Sequence, residues 1–94
     1  MPYITIRHKV MDYDAWKPKF DAHGPARAAA GCKGGHLLRG IDDTNEVVIF
    51  FEWDTLENAR KFTASPELKA AMKEAGVIDK PDVYFLENQE SLTQ

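Results

Sequence analysis

Three histidines supply most of the side chains in this 94-residue chain that can move protons near neutral pH. His8 stands in an alternating segment, Tyr3 to Val10, where it shares one face with two isoleucines and a valine. An imidazole among apolar side chains can transfer a proton to or from a ligand. The pattern therefore predicts His8 as a catalytic group. The alternative is a structural histidine whose ring is paired with a backbone carbonyl.

A second set of candidate residues follows at helical spacing. Trp16 and Phe20 share the inner face of a predicted helix, and His23 and Arg27 lie further along it. A ligand ring stacked on Trp16, with His23 or Arg27 contacting a phenolate or carboxylate, would suit an acidic aromatic molecule. We predict Trp16, His23 and Arg27 as substrate-binding residues. The alternative places the aromatic rings in the core and the basic side chains in solvent.

Trp53 and Tyr84 are the remaining candidates for ligand contact. Each combines a large ring with a polar tip, which suits the wall of a small-molecule pocket. We predict both as substrate-binding residues. The alternative is again structural, because aromatic side chains dominate the cores of small domains.

The sequence carries no recognisable metal or cofactor motif. His8, His23 and His36 form no pair at ligand spacing on one strand or helix, so no metal site is predicted. Cys32 is the one cysteine, which excludes an intrachain disulfide, and nothing beside it marks an activated thiolate. We expect chemistry without a cofactor.

The composition indicates one soluble domain spanning residues 1–94. Apolar residues make up 44% and charged residues 29%, and 12 basic against 15 acidic side chains give a net charge of -3. The charges interleave without a basic stripe, so a nucleic-acid partner is not expected. The longest apolar run, Val47 to Phe51, is too short to span a membrane. The strand-like N-terminus, without the pattern of a signal peptide, predicts a cytoplasmic protein.

Hydrophobic periodicity predicts four strands and two helices. Asp12 caps the first helix, and the Gly24-Pro25 pair predicts a kink or break near His23. Ser65 and Pro66 mark a restart within the second helix. The predicted elements are strand Tyr3 to Val10, helix Asp12 to Ala30, strand Lys33 to Ile41, strand Val47 to Trp53, helix Thr55 to Ala75 and strand Asp82 to Glu87.

The order β-α-β-β-α-β predicts an α+β, ferredoxin-like fold, a four-stranded antiparallel sheet with two helices on one face. The helices leave the other face of the sheet uncovered, yet the third strand is apolar there too, at Val48 and Phe50. A large open apolar patch is unusual on a monomer. We therefore expect a homodimer in which two copies pack through this sheet face.

Four features together resemble the dimeric α+β barrel superfamily, in its antibiotic-biosynthesis-monooxygenase-like and small polyketide-cyclase-like branch. They are the strand ending in Trp53, the turn with Asp54, the helix containing Ala59, and the restart Ser65-Pro66-Glu67-Leu68. The resemblance implies a homodimer and a pocket in each subunit between the sheet and its helices. Related enzymes bind polycyclic aromatics, quinols or haem there.

The haem-degrading relatives provide a residue-level comparison. They carry an asparagine, an aromatic residue and a haem-ligating histidine at positions that correspond to Arg7, Phe62 and Met72. Only the aromatic character is retained in this chain. The resemblance therefore does not extend to haem binding in that mode, since methionine would have to replace the imidazole ligand.

The resemblance and the candidate residues together predict a cofactor-independent monooxygenase-like or cyclase-like enzyme acting on an aromatic or polyketide-like small molecule. The alternative function is a non-catalytic small-molecule-binding or stress-associated homodimer of the same fold. Two structural alternatives also stay open at this point. The pocket is either open or filled by its own aromatic side chains, and a reversed strand face would put Arg7 in the pocket and His8 in the dimer interface.

Overall fold

The computed structural model describes residues 1–93, in which four strands and four helices are formed. The elements are β1 (Pro2–Lys9), α1 (Tyr13–Ala22), α2 (Gly24–Ala30), β2 (Cys32–Arg39), β3 (Glu46–Trp53), α3 (Leu56–Ala64), α4 (Pro66–Glu74) and β4 (Asp82–Glu87). None of the helices in residues 1–93 combines the length and apolar character needed to cross a membrane.

The four strands form one sheet in the order β2-β3-β1-β4, and every neighbouring pair is antiparallel. The two central strands are β1 and β3, and Ile4 lies opposite Phe51 on one side and Phe85 on the other. This arrangement confirms the predicted α+β, ferredoxin-like fold. Each of the two predicted helices is divided into two shorter ones.

Both helix breaks occur where the sequence predicts them. The chain leaves α1 at His23 and enters α2 with Pro25 in its first turn, where a missing backbone donor costs nothing. Ser65 adopts an extended conformation after α3, and its hydroxyl accepts a hydrogen bond from the backbone N–H of Leu68 at 3.3 Å. Each break therefore ends one helical segment and starts the next.

The side chains of β1 and β3 alternate between a buried and a partly exposed face. Ile4, Ile6 and His8 are buried beneath the helices, whereas Arg7 lies on the opposite face. This placement excludes the reversed assignment, in which Arg7 would face the pocket. The buried apolar side chains are Ile4, Ile6, Val10, Trp16, Val47, Ile49, Phe51, Trp53 and Ala59.

The ends of the strands differ slightly from the predicted ones. β1 ends at Lys9, and Val10 pairs only with Val77 in an isolated bridge. β2 ends at Arg39 because the backbone N–H of Gly40 donates to the carbonyl of Glu46 at 2.9 Å and closes the hairpin. Neither change moves a side chain from one face of the sheet to the other.

Candidate active site

A cavity of about 630 Å³ lies between the helix-covered face of the sheet and the four helices. It is lined by residues of β1 and β3 below and of all four helices above. The space between sheet and helices is therefore open, although several aromatic side chains reach it. Of the predicted site residues, the structure brings His8, Trp16, His23 and Arg27 to this cavity.

His8 is the polar group at the floor of the cavity, and its side chain is only 3% exposed. Its ring meets the Trp16 ring edge to face, with the centroids 5.8 Å apart, and Nδ1 has no hydrogen-bond partner among the described residues. Burial lowers the pKa of His8, and the charge of Arg7 lowers it further, while the carboxylate of Asp79 opposes the shift. The lowered pKa favours the neutral imidazole, which is the form that accepts a proton.

Asp79 fixes the backbone beside His8 from the far side of the sheet. Its carboxylate accepts hydrogen bonds from the backbone N–H of Lys9 at 2.7 Å and from Nη1 of Arg7 at 3.1 Å. These bonds hold the pKa of Asp79 below its ordinary value, with the Lys9 bond contributing most. Sequence reasoning missed Asp79, because the contact joins a loop to β1 across 70 positions and no local motif marks it.

Three aromatic rings form a nearly continuous wall along the cavity. The Trp16 and Phe20 rings stack at 4.8 Å with an interplanar angle of 26°, and Phe20 and Phe51 follow at 6.3 Å and 19°. Phe62 stands almost perpendicular to Phe51 at its end. These rings therefore stabilise one another by offset parallel contact and give the cavity an apolar, aromatic side. Trp16 is predicted from the sequence as a substrate-binding residue, and Phe20, Phe51 and Phe62 join it in the lining.

Arg27 lies against the Phe20 and Phe51 rings of this wall. Its guanidinium carbon is 3.9 Å from the centroid of the Phe20 ring, and Nη1 donates to the backbone carbonyl of Phe20 at 2.9 Å. Burial lowers the pKa of Arg27, and the neighbouring groups Cys32 and Asp21 oppose that shift. His23, at the joint between α1 and α2, is exposed and forms part of the rim.

Trp53 and Tyr84 lie outside the cavity. Trp53 is fully buried below Phe62, with the ring centroids 4.9 Å apart, and its Nε1 has no partner among the described residues. Tyr84 is 60% exposed and pairs with Thr5 on the open face of the sheet. This placement corrects the expectation that both rings line the pocket with His8. Trp53 instead fills the core under Phe62, and Tyr84 lies on the face of the sheet that the helices leave open.

The positions that correspond to the haem-contacting residues of the haem-degrading relatives do not lie together in this structure. Phe62 and Met72 line the cavity, but Arg7 lies on the other face of the sheet. Among residues 1–93, no group of three histidine, cysteine, aspartate or glutamate side chains could hold a metal ion. The cavity presents aromatic rings, the His8 imidazole and the Arg27 guanidinium to a ligand, together with other polar side chains, namely Lys19, His23, Asn58, Lys61 and Glu67.

The fold is that of an α+β domain of the ferredoxin-like class, with a cavity between the sheet and its helices. Residues 11–74 match the model of the antibiotic biosynthesis monooxygenase family, and this match covers more than half of the chain. The chain therefore belongs to that family. The resemblance noted from its sequence is confirmed.

The chain is similar in fold to solved structures that align with nearly all of its residues. SnoaB from Streptomyces nogalater, a cofactor-independent oxygenase, has a TM-score of 0.78 and 18% identity, covering 99% of this chain and 97% of its own. Rv0793 from Mycobacterium tuberculosis has a TM-score of 0.68 and 20% identity, covering 99% and 100%. No curated protein matches this chain. At these identities the likeness concerns the fold.

Proposed function

We propose that the protein is a cofactor-independent monooxygenase that acts on a flat aromatic or polyketide-like small molecule. One observation carries the proposal: a buried imidazole with an unpartnered nitrogen lies in an aromatic-walled cavity of an antibiotic-biosynthesis-monooxygenase chain. SnoaB, which has the same fold, is described as a cofactor-independent oxygenase. A cyclase-like reaction on the same class of ligand would use the same proton transfer.

The chemistry requires little from the protein. A methylene group between aromatic rings becomes an electron donor once it has lost a proton, and the carbanion reduces O2 directly. The net change converts CH2 and O2 into a carbonyl and water, so the substrate supplies all the electrons. The protein accepts the proton, holds the ring system flat and keeps bulk water away.

The site residues fit these tasks. His8 accepts the proton, because burial lowers its pKa and keeps the ring neutral. Trp16 and Phe20, which stack on each other, form the apolar wall against which the substrate rings pack. Arg27 and His23 also line the cavity, where they contact the polar substituents of the substrate.

We further propose that two copies associate through the open face of the sheet. Tyr3 and Phe50 stack there at 4.9 Å, and Leu38, Tyr84 and Leu86 are exposed beside them. A second copy would cover this face by an isologous contact. Light scattering should give twice the chain mass of 10.6 kDa. A particle of single-chain mass at micromolar concentration would contradict this proposal.

The catalytic proposal is tested with anthrone as the probe. Oxygen consumption and the formation of anthraquinone are measured for the wild type, for His8→Ala and for Tyr84→Phe. We expect turnover by the wild type, no turnover by His8→Ala with an unchanged circular dichroism spectrum, and wild-type turnover by Tyr84→Phe. The last variant is the control because Tyr84 lies outside the cavity.

Two other results would change the assignment. Turnover retained by His8→Ala would remove His8 from the mechanism. Thermal stabilisation by polycyclic phenols and quinones, without consumption of oxygen or ligand, would instead favour the non-catalytic binding protein.

A further inference from the structure

A second cavity, of about 420 Å³, lies beside the first. The two cavities share Phe20, Arg27, Ile49 and Phe51 as lining residues. Arg27 therefore stands at their junction, with its guanidinium over the Phe20 ring at 3.9 Å and towards the Phe51 ring at 5.6 Å. A ligand that fills the main cavity can reach past this side chain into the second one.

The second cavity is bordered by Gly34 and Gly35 of β2, which have no side chains to fill it. A β carbon on Gly35 would overlap the backbone carbonyl of Phe50, so this position requires glycine. A β carbon on Gly34 would meet open space. The lining includes the basic residues Arg27, Lys33 and His36, and in the described part of the chain no aspartate or glutamate contributes to it. Its charge favours an anion.

Arg27 is the cation of the main cavity that is best placed to bind a ligand anion. Lys61 is paired with Glu57 at 3.3 Å, and Nζ of Lys19 donates to the backbone carbonyl of Glu74 at 3.0 Å. Within residues 1–93, the ion pairs of 4.0 Å or less leave Arg27 without a carboxylate. Its hydrogen bond to Phe20 uses one of five donors, and the planar group can bind a carboxylate with two more.

We infer that the ligand is an aromatic acid whose ring system stacks in the main cavity near His8 and whose carboxylate binds Arg27 at the junction with the second cavity. This inference deepens the proposed function and rests on it for the aromatic occupant of the main cavity. The half-buried setting strengthens the contact, because a guanidinium removed from bulk water gains more from an opposite charge. Arg27 is then a specificity-determining residue.

The test uses a matched pair of probes, anthracene-2-carboxylate and its methyl ester. Their binding is measured under anaerobic conditions by quenching of tryptophan fluorescence, since Trp16 lines the cavity. The wild type should bind the acid about 10- to 100-fold more tightly than the ester, as expected for one charge-assisted contact. Arg27→Gln should bind both probes equally. Arg27→Lys, which keeps the charge without the planar fork, should show an intermediate preference.

Arg60→Gln is the matched control. Its guanidinium also lies over an aromatic ring, that of Phe85 at 4.6 Å, but Arg60 lines neither cavity. This variant should keep the wild-type preference for the acid. Because each preference is a ratio measured within one protein, a partial loss of fold in any variant affects both probes alike.

Two results would overturn the inference: no preference for the acid in the wild type, or a full preference retained in Arg27→Gln. Failure of the monooxygenase proposal is recognised separately. A protein that prefers the acid but consumes no oxygen would retain the anion site and lose the proposed reaction. A protein that oxidises anthrone but does not distinguish acid from ester would retain the reaction and lose the anion site.

Discussion

The two faces of the sheet are built from the same strands but differ in how their polar groups are paired. Under the helices, the side chains of β1 and β3 are buried, and both His8 Nδ1 and Trp53 Nε1 are without partners in the described residues. On the open face, Arg7 lies within 3.7 Å of Glu46, 3.1 Å of Asp79 and 3.4 Å of Asp82. The guanidinium of Arg7 on the open face is thus paired with carboxylates of the same chain.

The unpaired groups under the helices lower the stability of the fold, and such a cost is expected where a site serves a ligand. A buried polar atom without a partner costs about 1–3 kcal/mol. Such a cost at His8 is consistent with a nitrogen reserved for a ligand. The exposed charges around Arg7 contribute little to stability each, because solvent screens them. They share the open face with exposed apolar side chains, and interfaces likewise combine an apolar centre with a polar rim. The helix-covered face therefore suits a ligand, and the open face suits a second copy.

The largest effect should come from truncating a fully buried ring under the helices. Trp53→Ala removes a side chain with no exposed surface and should lower the free energy of unfolding by about 3–5 kcal/mol. The matched truncation on the open face, Tyr84→Ala, should cost less than about 1 kcal/mol when measured on the monomer. Urea unfolding followed by circular dichroism checks both. Equal costs would show that the two faces do not differ in packing.

The comparison also shows what the sequence could predict. Alternation along Val47 to Trp53 is strict enough to identify a strand that is apolar on both sides, and the pairs Gly24-Pro25 and Ser65-Pro66 mark both helix breaks. These features are local, because they depend on side-chain periodicity and on backbone donors that proline lacks. The fold could therefore be predicted from the sequence almost completely.

The site could be predicted only in part. His8, Trp16 and Arg27 were identified by residue type and spacing, and they meet at the cavity. The position of Trp53 under Phe62 and the contact of Asp79 with Lys9 depend on packing between distant segments. No local pattern encodes such contacts. The second cavity likewise depends on the approach of Gly35 to β3, which only the paired strands establish.

Placing a charge on the open face should weaken the proposed dimer. Leu86→Lys introduces an ammonium group at a side chain that is 46% exposed in the single chain and would be buried between two copies. We expect dimerisation to weaken by about 10- to 100-fold, measured by light scattering over a dilution series. Leu56→Lys, at a side chain on α3 that is 44% exposed, is the matched control and should leave the dimer intact. A similar loss in both variants would point to an effect of net charge.

Asp79 lies on the open face, and its negative charge raises the pKa of His8 on the other face of the sheet. Asp79→Asn keeps an oxygen that can accept from Lys9 but removes the negative charge, so the pKa of His8 should fall further below its ordinary value. Titration of the His8 ring signals by NMR measures the change. Asp43→Asn is the control, because Asp43 pairs with Lys9 at 3.1 Å and does not contribute to the shift at His8. Equal shifts in both variants would argue for a general charge effect.

The smallest expected effect is a dependence of stability on pH. Burial lowers the pKa of His8 in the folded protein, so near pH 6 the unfolded chain binds more protons than the folded one. The free energy of unfolding should therefore be highest above the unfolded pKa of 6.5 and should decrease as the pH falls below it. His8→Leu removes this titration and should lose less stability between pH 7.5 and pH 5.5, about one unit either side of that value.

The carboxylates on the open face act in a different pH window, which allows the two contributions to be separated. Their lowered pKa values mean that the stability contributed by Asp43 and Asp79 is present above the ordinary value of 3.8 and is lost only as the pH falls through the folded values. Near pH 6 the carboxylates stay charged, so Asp79→Asn acts there only through His8. Because it lowers the pKa of His8 further, the free energy of unfolding should fall more steeply with decreasing pH. If wild type, His8→Leu and Asp79→Asn all lost the same stability between pH 7.5 and pH 5.5, the imidazole would not be the neutral, buried base on which the proposed chemistry depends.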